Sequence, residues 1–262
     1  MSRKDFTPGF FATYESPDEN SDLWRYMDFA KFVSMLSTQS LWFSSAASFE
    51  DPFEGATGLM ENRPAYIKAM MQDYQQEWQE TGGKLTMENY AEIKAEIHKY
   101  ESNKLKKRQT TYINCWYESP FESMAMWQLY SKDNQNAIAI RSSIKRIKVA
   151  FPEDIGVEIG RVNYIDYASP PDVIEYRPYW FKSFHFEHEN EVRVVPIIKP
   201  DDSDTLPKNG IPIHLEINML VACVYVSPWS QPWLLELTKD VCKKYGLEAR
   251  VVESAIAQKP YY

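Results

Sequence analysis

The sequence predicts a single α+β domain, residues 1–262, with a mixed sheet and an inserted helical hairpin. Strand-like and helical runs follow one another with no internal repeat and no low-complexity segment, and one long helical stretch interrupts the strands. A hydrophobic content of 44% over 262 residues supplies one large core or two modest ones, and 15% aromatics argue against disorder.

Residues 1–20 read as an N-terminal arm. Leu23-Trp24-Arg25-Tyr26-Met27 resembles a short strand, and Asp28 can cap a helix with Phe29, Phe32, Val33 and Leu36 on one face. Leu41 to Ser44 returns as a strand. Between residues 60 and 108 the period turns helical. Ile67, Met70, Met71, Tyr74 and Trp78 form one stripe, Thr81-Gly82-Gly83 interrupts it, and Tyr90, Ile93, Ile97 and Tyr100 form another, giving a hairpin with core-facing stripes. Thr111 to Tyr117 is the next strand. Ser119-Pro120-Phe121-Glu122 combines a capping box with proline at the first helical position, predicting a helix through Met126, Trp127 and Tyr130. Ala137 to Arg141 and Val157 to Ile165 read as strands around a basic helix, Ile144 to Val149, and Ala168 to Pro171 is a loop. Glu191 to Ile198 is expected to pair with Ile211 to Ile217 as a hairpin across Lys199 to Gly210. The chain then reads strand, helix, strand over Ala222 to Val226, Trp233 to Tyr245 and Leu247 to Glu253.

No apolar run reaches the roughly 18 residues of a membrane helix, and Met1-Ser2-Arg3-Lys4-Asp5 leads into no signal-peptide segment, so the expected location is the cytoplasm and no membrane partner is expected. Cys115, Cys223 and Cys242 are widely spaced, with neither metal-ligand nor redox spacing, and read as buried structural thiols. A formal charge of −8 argues against broad nucleic-acid binding, which needs clustered Lys and Arg. The one basic run, Lys104, Lys106, Lys107 and Arg108, complements a helix C-terminus and leaves a nucleic-acid substrate open.

Two segments carry candidate chemistry. In Leu41 to Glu54 a strand opens into serines, aromatics and acids, and Asp51-Pro52 ends any helix there. In Phe186 to Arg193 acids crowd the mouth of an apolar strand. If that segment is already extended, Glu187, Glu189, Glu191 and Arg193 share one side, with successive carboxylates about 7 Å apart. Their repulsion, roughly 2.4 kcal/mol at an effective dielectric of about 20, would raise one carboxyl's pKa and separate an acid from an ionised role. The alternative is that Arg193 neutralises Glu191 and the other acids stay in solvent. His185 and His188 beside carboxylates are of metal-ligand type, but no further motif completes a set and no metal site is expected. Neither a glycine-rich phosphate loop, a nucleophile elbow nor a cysteine–histidine signature is present. Trp24, Tyr26, Trp42 and Phe43 are stacking candidates for a flat base, or core, as are Met126 and Trp127.

The Leu-Trp-Arg-Tyr start, Leu41 to Glu54, Met126 to Tyr130, Glu189 to Arg193 and Val226-Ser227-Pro228-Trp229 together resemble a widespread bacterial family catalogued as a domain of unknown function, with the motifs "lwfs..s.FnDPfE", "MWahY" and "EkEwR". The resemblance spans roughly Leu23 to Glu253. Glu50 stands where that family has Asn, Gln128-Leu129 replace an Ala-His pair, and Val192 replaces an aromatic, so a catalytic role for that histidine is not open to this chain. The chain is also similar, in the order Arg25, Ser44, Glu189/Glu191, to ADP-ribosyltransferases of the arginine-serine-glutamate type. That resemblance implies that Arg25 binds the pyrophosphate of NAD, Ser44 orients the nicotinamide ribose, Glu191 stabilises the oxocarbenium ion and Glu189 activates the acceptor. Tyr26, Ser45, Asp51, Glu54, Trp127, Tyr130 and Arg193 are the further candidates for cofactor contact.

The leading expectation is therefore a bacterial enzyme that uses NAD to modify a macromolecule or nucleotide, as a toxin or phage-defence effector. One rival is a non-catalytic ligand- or protein-binding module. Another is a metal-dependent nuclease or hydrolase built on Asp51, Glu54, Glu189 and Glu191.

Overall fold

The computed structural model describes residues 14–59, 63–80, 87–131, 134–171, 174, 177–198, 207–258 and 260–261. The chain runs β1 (Asp22–Asp28), α1 (Phe29–Thr38), β2 (Ser40–Ser45), α2 (Arg63–Glu80), α3 (Met87–Thr110), β3 (Tyr112–Glu118), α4 (Met124–Leu129), β4 (Ala137–Ser143), α5 (Ile144–Ala150), β5 (Val157–Arg161) and β6 (Asn163–Ile165). It continues through β7 (Phe181–Ser183), β8 (Glu191–Pro196), β9 (Gly210–His214), α6 (Ile217–Leu220), β10 (Cys223–Val226), α7 (Pro232–Lys244) and β11 (Arg250–Glu253). The fold is α+β, as expected from the sequence. Among the described residues nine strands form one mixed sheet in which β11-β10-β4-β1-β3-β2-β9 is the main path and β8 joins β3 to β5, while β6 and β7 make a small parallel pair.

Strand alternation sorts the β1 side chains onto two faces. Leu23 and Met27 enter the larger core, with Phe32 and Leu36 of α1, Ile144 and Ile147 of α5 and Leu234 of α7. Trp24 and Tyr26 enter a smaller one with Met126 and Trp127 of α4. Buried Leu234, Thr238 and Cys242 fall on one face of α7, which begins at Pro232 and carries Lys243 and Lys244 in its last turn.

Several expectations are corrected. Glu191 to Ile198 and Ile211 to Ile217 do not form a hairpin: β8 lies between β3 and β5, and β9 pairs with β2. The reason is burial, since Glu191 to Val194 are all enclosed and need neighbours on both edges, whereas β9 carries exposed Pro212, which an edge strand tolerates. Val157 to Ile165 is two strands in different sheets. The helix foreseen from Ser119 starts at Met124, because Ser123 accepts from the Met126 N–H (3.3 Å) and Glu122 is spent on the indole of Trp127 (3.1 Å) and the Ala255 N–H (2.8 Å). Ser119 instead makes a turn with the Phe121 N–H (3.1 Å). Asp28 makes no side-chain cap. Helices α2 and α3 occupy the span of the expected hairpin and touch each other, with Ile93 and Ile97 buried. The Thr81-Gly82-Gly83 break, the side chains of Met70, Tyr74, Trp78 and Tyr90, the arm before residue 14 and residues 199–206 lie outside the described residues.

Gly210 gives a test of the β2–β9 edge. It sits at φ 142°, and an added Cβ would come within 2.5 Å of the Phe43 carbonyl oxygen. Gly210→Ala should cost about 1–3 kcal/mol in urea unfolding, since both the conformation and the contact oppose it. An unchanged midpoint would mean that β9 is not held against β2 in this register.

Candidate functional site

β3 has two partial neighbours. β1 pairs with it only at Leu23 and Trp24, and β2 only at Ser44 and Ser45, so Asn114 to Trp116 pair with neither, although β8 covers Asn114 to Tyr117. Where the strands part, a cleft of about 560 Å³ opens, within the size range of small-molecule and cofactor sites. Arg25 bridges the gap, its Nη1 donating to the Cys115 carbonyl at 2.7 Å. Its other donors have no hydrogen-bond partner among the described residues, and burial pulls its pKa below the ordinary arginine range. Ser44 lines the same cleft, with no side-chain partner among the described residues.

The serine- and acid-rich segment follows. A short 3-10 turn, Ala46–Ser48, is capped by Ser45, whose hydroxyl accepts from the Ala47 N–H (3.2 Å). Asp51 then accepts from the Phe53 N–H (2.9 Å) through Oδ1, while its buried Oδ2 has no partner. Glu54 does not reach the cleft. It is enclosed against Arg193, whose Nη1 and Nη2 donate to the two Glu54 oxygens at 2.5 and 2.8 Å.

That arginine anchors a chain of charges. Its Nε donates to Glu191 (2.7 Å) and its Nη1 also donates to the Tyr179 carbonyl (2.5 Å). Lys182 of β7 donates to Glu191 (3.1 Å) and to Glu189. Burial opposes ionisation of Glu191, but Arg193 and Lys182 overcome it and hold its carboxyl at about 2. At Glu54 burial outweighs Arg193 and pushes the carboxyl up. Burial raises Tyr130, with Glu189 adding to it, and burial with Glu191 raises Cys115, so both stay neutral.

The placement of the expected site residues is therefore mixed. Arg25, Tyr26, Ser44, Asp51, Tyr130, Glu189 and Glu191 line one cleft; Ser45, Glu54, Trp127 and Arg193 are buried and do not. Trp127 stands edge-on to Tyr26, centroids 5.0 Å apart, and supports the wall from behind. Of the stacking candidates, Trp24 and Tyr26 face the cleft, Phe43 is core and Trp42 is half exposed outside it. The extended run from Glu187 to Arg193 is overturned: Phe184–Glu189 is a 3-10 turn, Asn190 takes φ 36°, and the strand begins at Glu191. Glu187 is exposed on that turn, and an ammonium lies between Glu189 and Glu191 where repulsion between neighbouring strand carboxylates was expected. Lys182 was not foreseen. Its signal is a single cation within Tyr179-Trp180-Phe181-Lys182, since a lysine in a buried apolar run is almost always paired.

The acids required for a metal-dependent hydrolase do not share one space, because Glu54 faces Arg193. Among the described residues no group of three or more His, Cys, Asp and Glu side chains is arranged to hold a metal ion. No helix among them is long and apolar enough to cross a membrane.

No protein-family model and no curated protein matches the chain. Among solved structures it is similar to DarT of Thermus sp. 2.9 in complex with NAD+, with a TM-score of 0.40 and 9% identity over 93% of this chain and 100% of that one. A likeness of that size carries no argument about chemistry, which has to come from the cleft.

Arg193→Met takes from buried Glu54 its arginine partner and leaves Glu191 to Lys182, and should destabilise by about 3–5 kcal/mol in urea unfolding. The pH dependence separates Glu191 from the rest of the network. With its folded carboxyl near 2 and its unfolded one near the ordinary value of about 4.3, its stabilisation is present above that pH and lost as pH falls toward 2. The stability gap between the wild type and Glu191→Gln should therefore close on acidification; a constant gap would contradict the ion pairing.

Proposed function

We propose that the cleft binds NAD and that the chain is an ADP-ribosyltransferase-like enzyme acting on a macromolecule or nucleotide. What supports this reading is the convergence of Arg25 from β1, Ser44 from β2, Glu189 from the 3-10 turn and Glu191 from β8 on one cleft at the parting of the sheet. Arg25 offers unpaired guanidinium donors, the chemistry that a pyrophosphate takes. Ser44 offers a hydroxyl to a ribose. As the bond between nicotinamide and C1′ breaks, its electron pair leaves with nicotinamide and positive charge develops on the ribose. Glu191, fixed by Arg193 and Lys182, holds a negative charge beside that carbon. Glu189 takes the proton of the acceptor nucleophile as its bond to C1′ forms.

Calorimetric titration with NAD tests the binding step, and nicotinamide release tests the chemistry. Arg25→Met should weaken NAD binding by about 10-fold or more, the worth of a charge-assisted hydrogen bond. Glu189→Gln should slow transfer by about 10²-fold while NAD still binds. Glu191→Gln should lose both rate and stability, because it carries charge for the ribose and for Arg193. A wild-type protein that binds no NAD would sink the reading and leave a binding module for another ligand.

A further inference from the structure

We infer that Lys182 is a positioning residue, the cation that lets Glu189 and Glu191 face the cleft side by side as two ionised carboxylates. The catalytic part of this inference rests on the NAD-transfer reading; the electrostatic part does not. Lys182 is buried on β7, between its neighbours Phe181 and Ser183, and its ammonium lies 4.7 Å from the Phe186 ring centroid. Its Nζ bonds both carboxylates, at 3.1 Å to Glu191. Among the described residues Lys182 is the cation that forms an ion pair with Glu189. Arg193 is committed to Glu54 and Glu191, and Arg25 makes no ion pair among the described residues. The other groups facing the pair are neutral: the Cys115 thiol from β3, the Tyr130 hydroxyl after α4, and the Tyr164 hydroxyl from β6, which accepts from the Glu191 N–H (2.7 Å).

With the ammonium gone Glu191 keeps Arg193, while Glu189 loses the ion pair it makes among the described residues, so the pair holds a proton more readily. That consequence distinguishes positioning from packing. Loss of packing gives a deficit that does not depend on pH. Loss of the ammonium gives a carboxyl titrating well above its unfolded value, so the folded state binds a proton that the unfolded chain has lost. Stability then falls as pH rises through the raised value.

The experiment compares the wild type with Lys182→Met, Lys182→Arg and the double variant Lys182→Met/Glu189→Gln, following melting temperature and nicotinamide release from NAD between about pH 5 and about pH 8. Glu54, whose carboxyl burial pushes up, gives every variant the same background slope, so each profile is read as its difference from the wild type. Lys182→Met should melt at progressively lower temperature as pH rises, while its release rate climbs as the second carboxyl ionises, and Lys182→Arg should restore both profiles toward the wild type. The double variant, with one carboxylate fewer, should recover the wild-type pH profile even if Lys182→Met alone folds poorly. A deficit in Lys182→Met that is the same at every pH, or a double variant no better folded than the single one, would overturn the role. If no variant releases nicotinamide, the enzyme reading fails, and the stability profiles still decide the fate of Lys182.

Discussion

Everything at this site hangs on one guanidinium that has no access to solvent. Arg193 is fully enclosed, and a charge in that position is tolerated only with partners at good geometry on every side. It meets that condition with Glu54, Glu191 and the Tyr179 carbonyl, drawn from three different parts of the chain. The ties have structural consequences. Glu54 fixes the far end of the segment that runs from β2 past the cleft, so Asp51 is carried at a set place along the wall. Glu191 is fixed at the mouth of β8, and through Lys182 so is Glu189. A network worth little in net stability can still decide where these side chains stand.

The second constraint is the parting of β1 and β2 over β3. A fully paired sheet would have used the edge of Asn114 to Trp116 for ladder hydrogen bonds. Here Arg25 caps the Cys115 carbonyl and the Asn114 side-chain amide donates to the Trp42 carbonyl at 2.8 Å, so side chains take over where a strand is missing. Some polar atoms remain unpartnered, among them the Trp116 indole nitrogen, 2% exposed as a residue, and Asp51 Oδ2; both residues line the cleft. Buried groups of this kind are costly, and Arg108 Nε, Asn114 Oδ1 and Arg141 Nε, on residues that do not line the cleft, share that condition.

The sequence made the local structure legible and the long-range pairing much less so. The cores of β1, α1, β2, β3, α5, β10 and α7 can be read from periodicity because each buries one face against a neighbour. β8 and β9 can be recognised as strands, but their partners cannot, since adjacency in the chain suggested a hairpin and burial on both faces demanded a central position. Ser119 and Ser123 are both reasonable caps in sequence; the choice fell to Ser123 because Glu122 had bonds to make elsewhere. At the cleft, Arg25, Ser44, Glu189 and Glu191 stand out by type and order. Glu54 and Arg193 stand out equally and prove to be the frame behind the wall, because a charged residue looks the same in sequence whether it faces a ligand or a partner. Lys182 escaped notice because its role exists only once β7 has been brought against β8.

The central claim is that this charged frame presents Arg25, Ser44 and the Glu189/Glu191 pair to one NAD molecule in the parted sheet. A crystal structure of the chain with NAD tests it most directly. The account predicts the pyrophosphate against Arg25 and the nicotinamide ribose between Ser44 and Glu189, with the Glu54, Arg193 and Glu191 contacts unchanged. NAD bound elsewhere, or bound here only after that network has come apart, would contradict it.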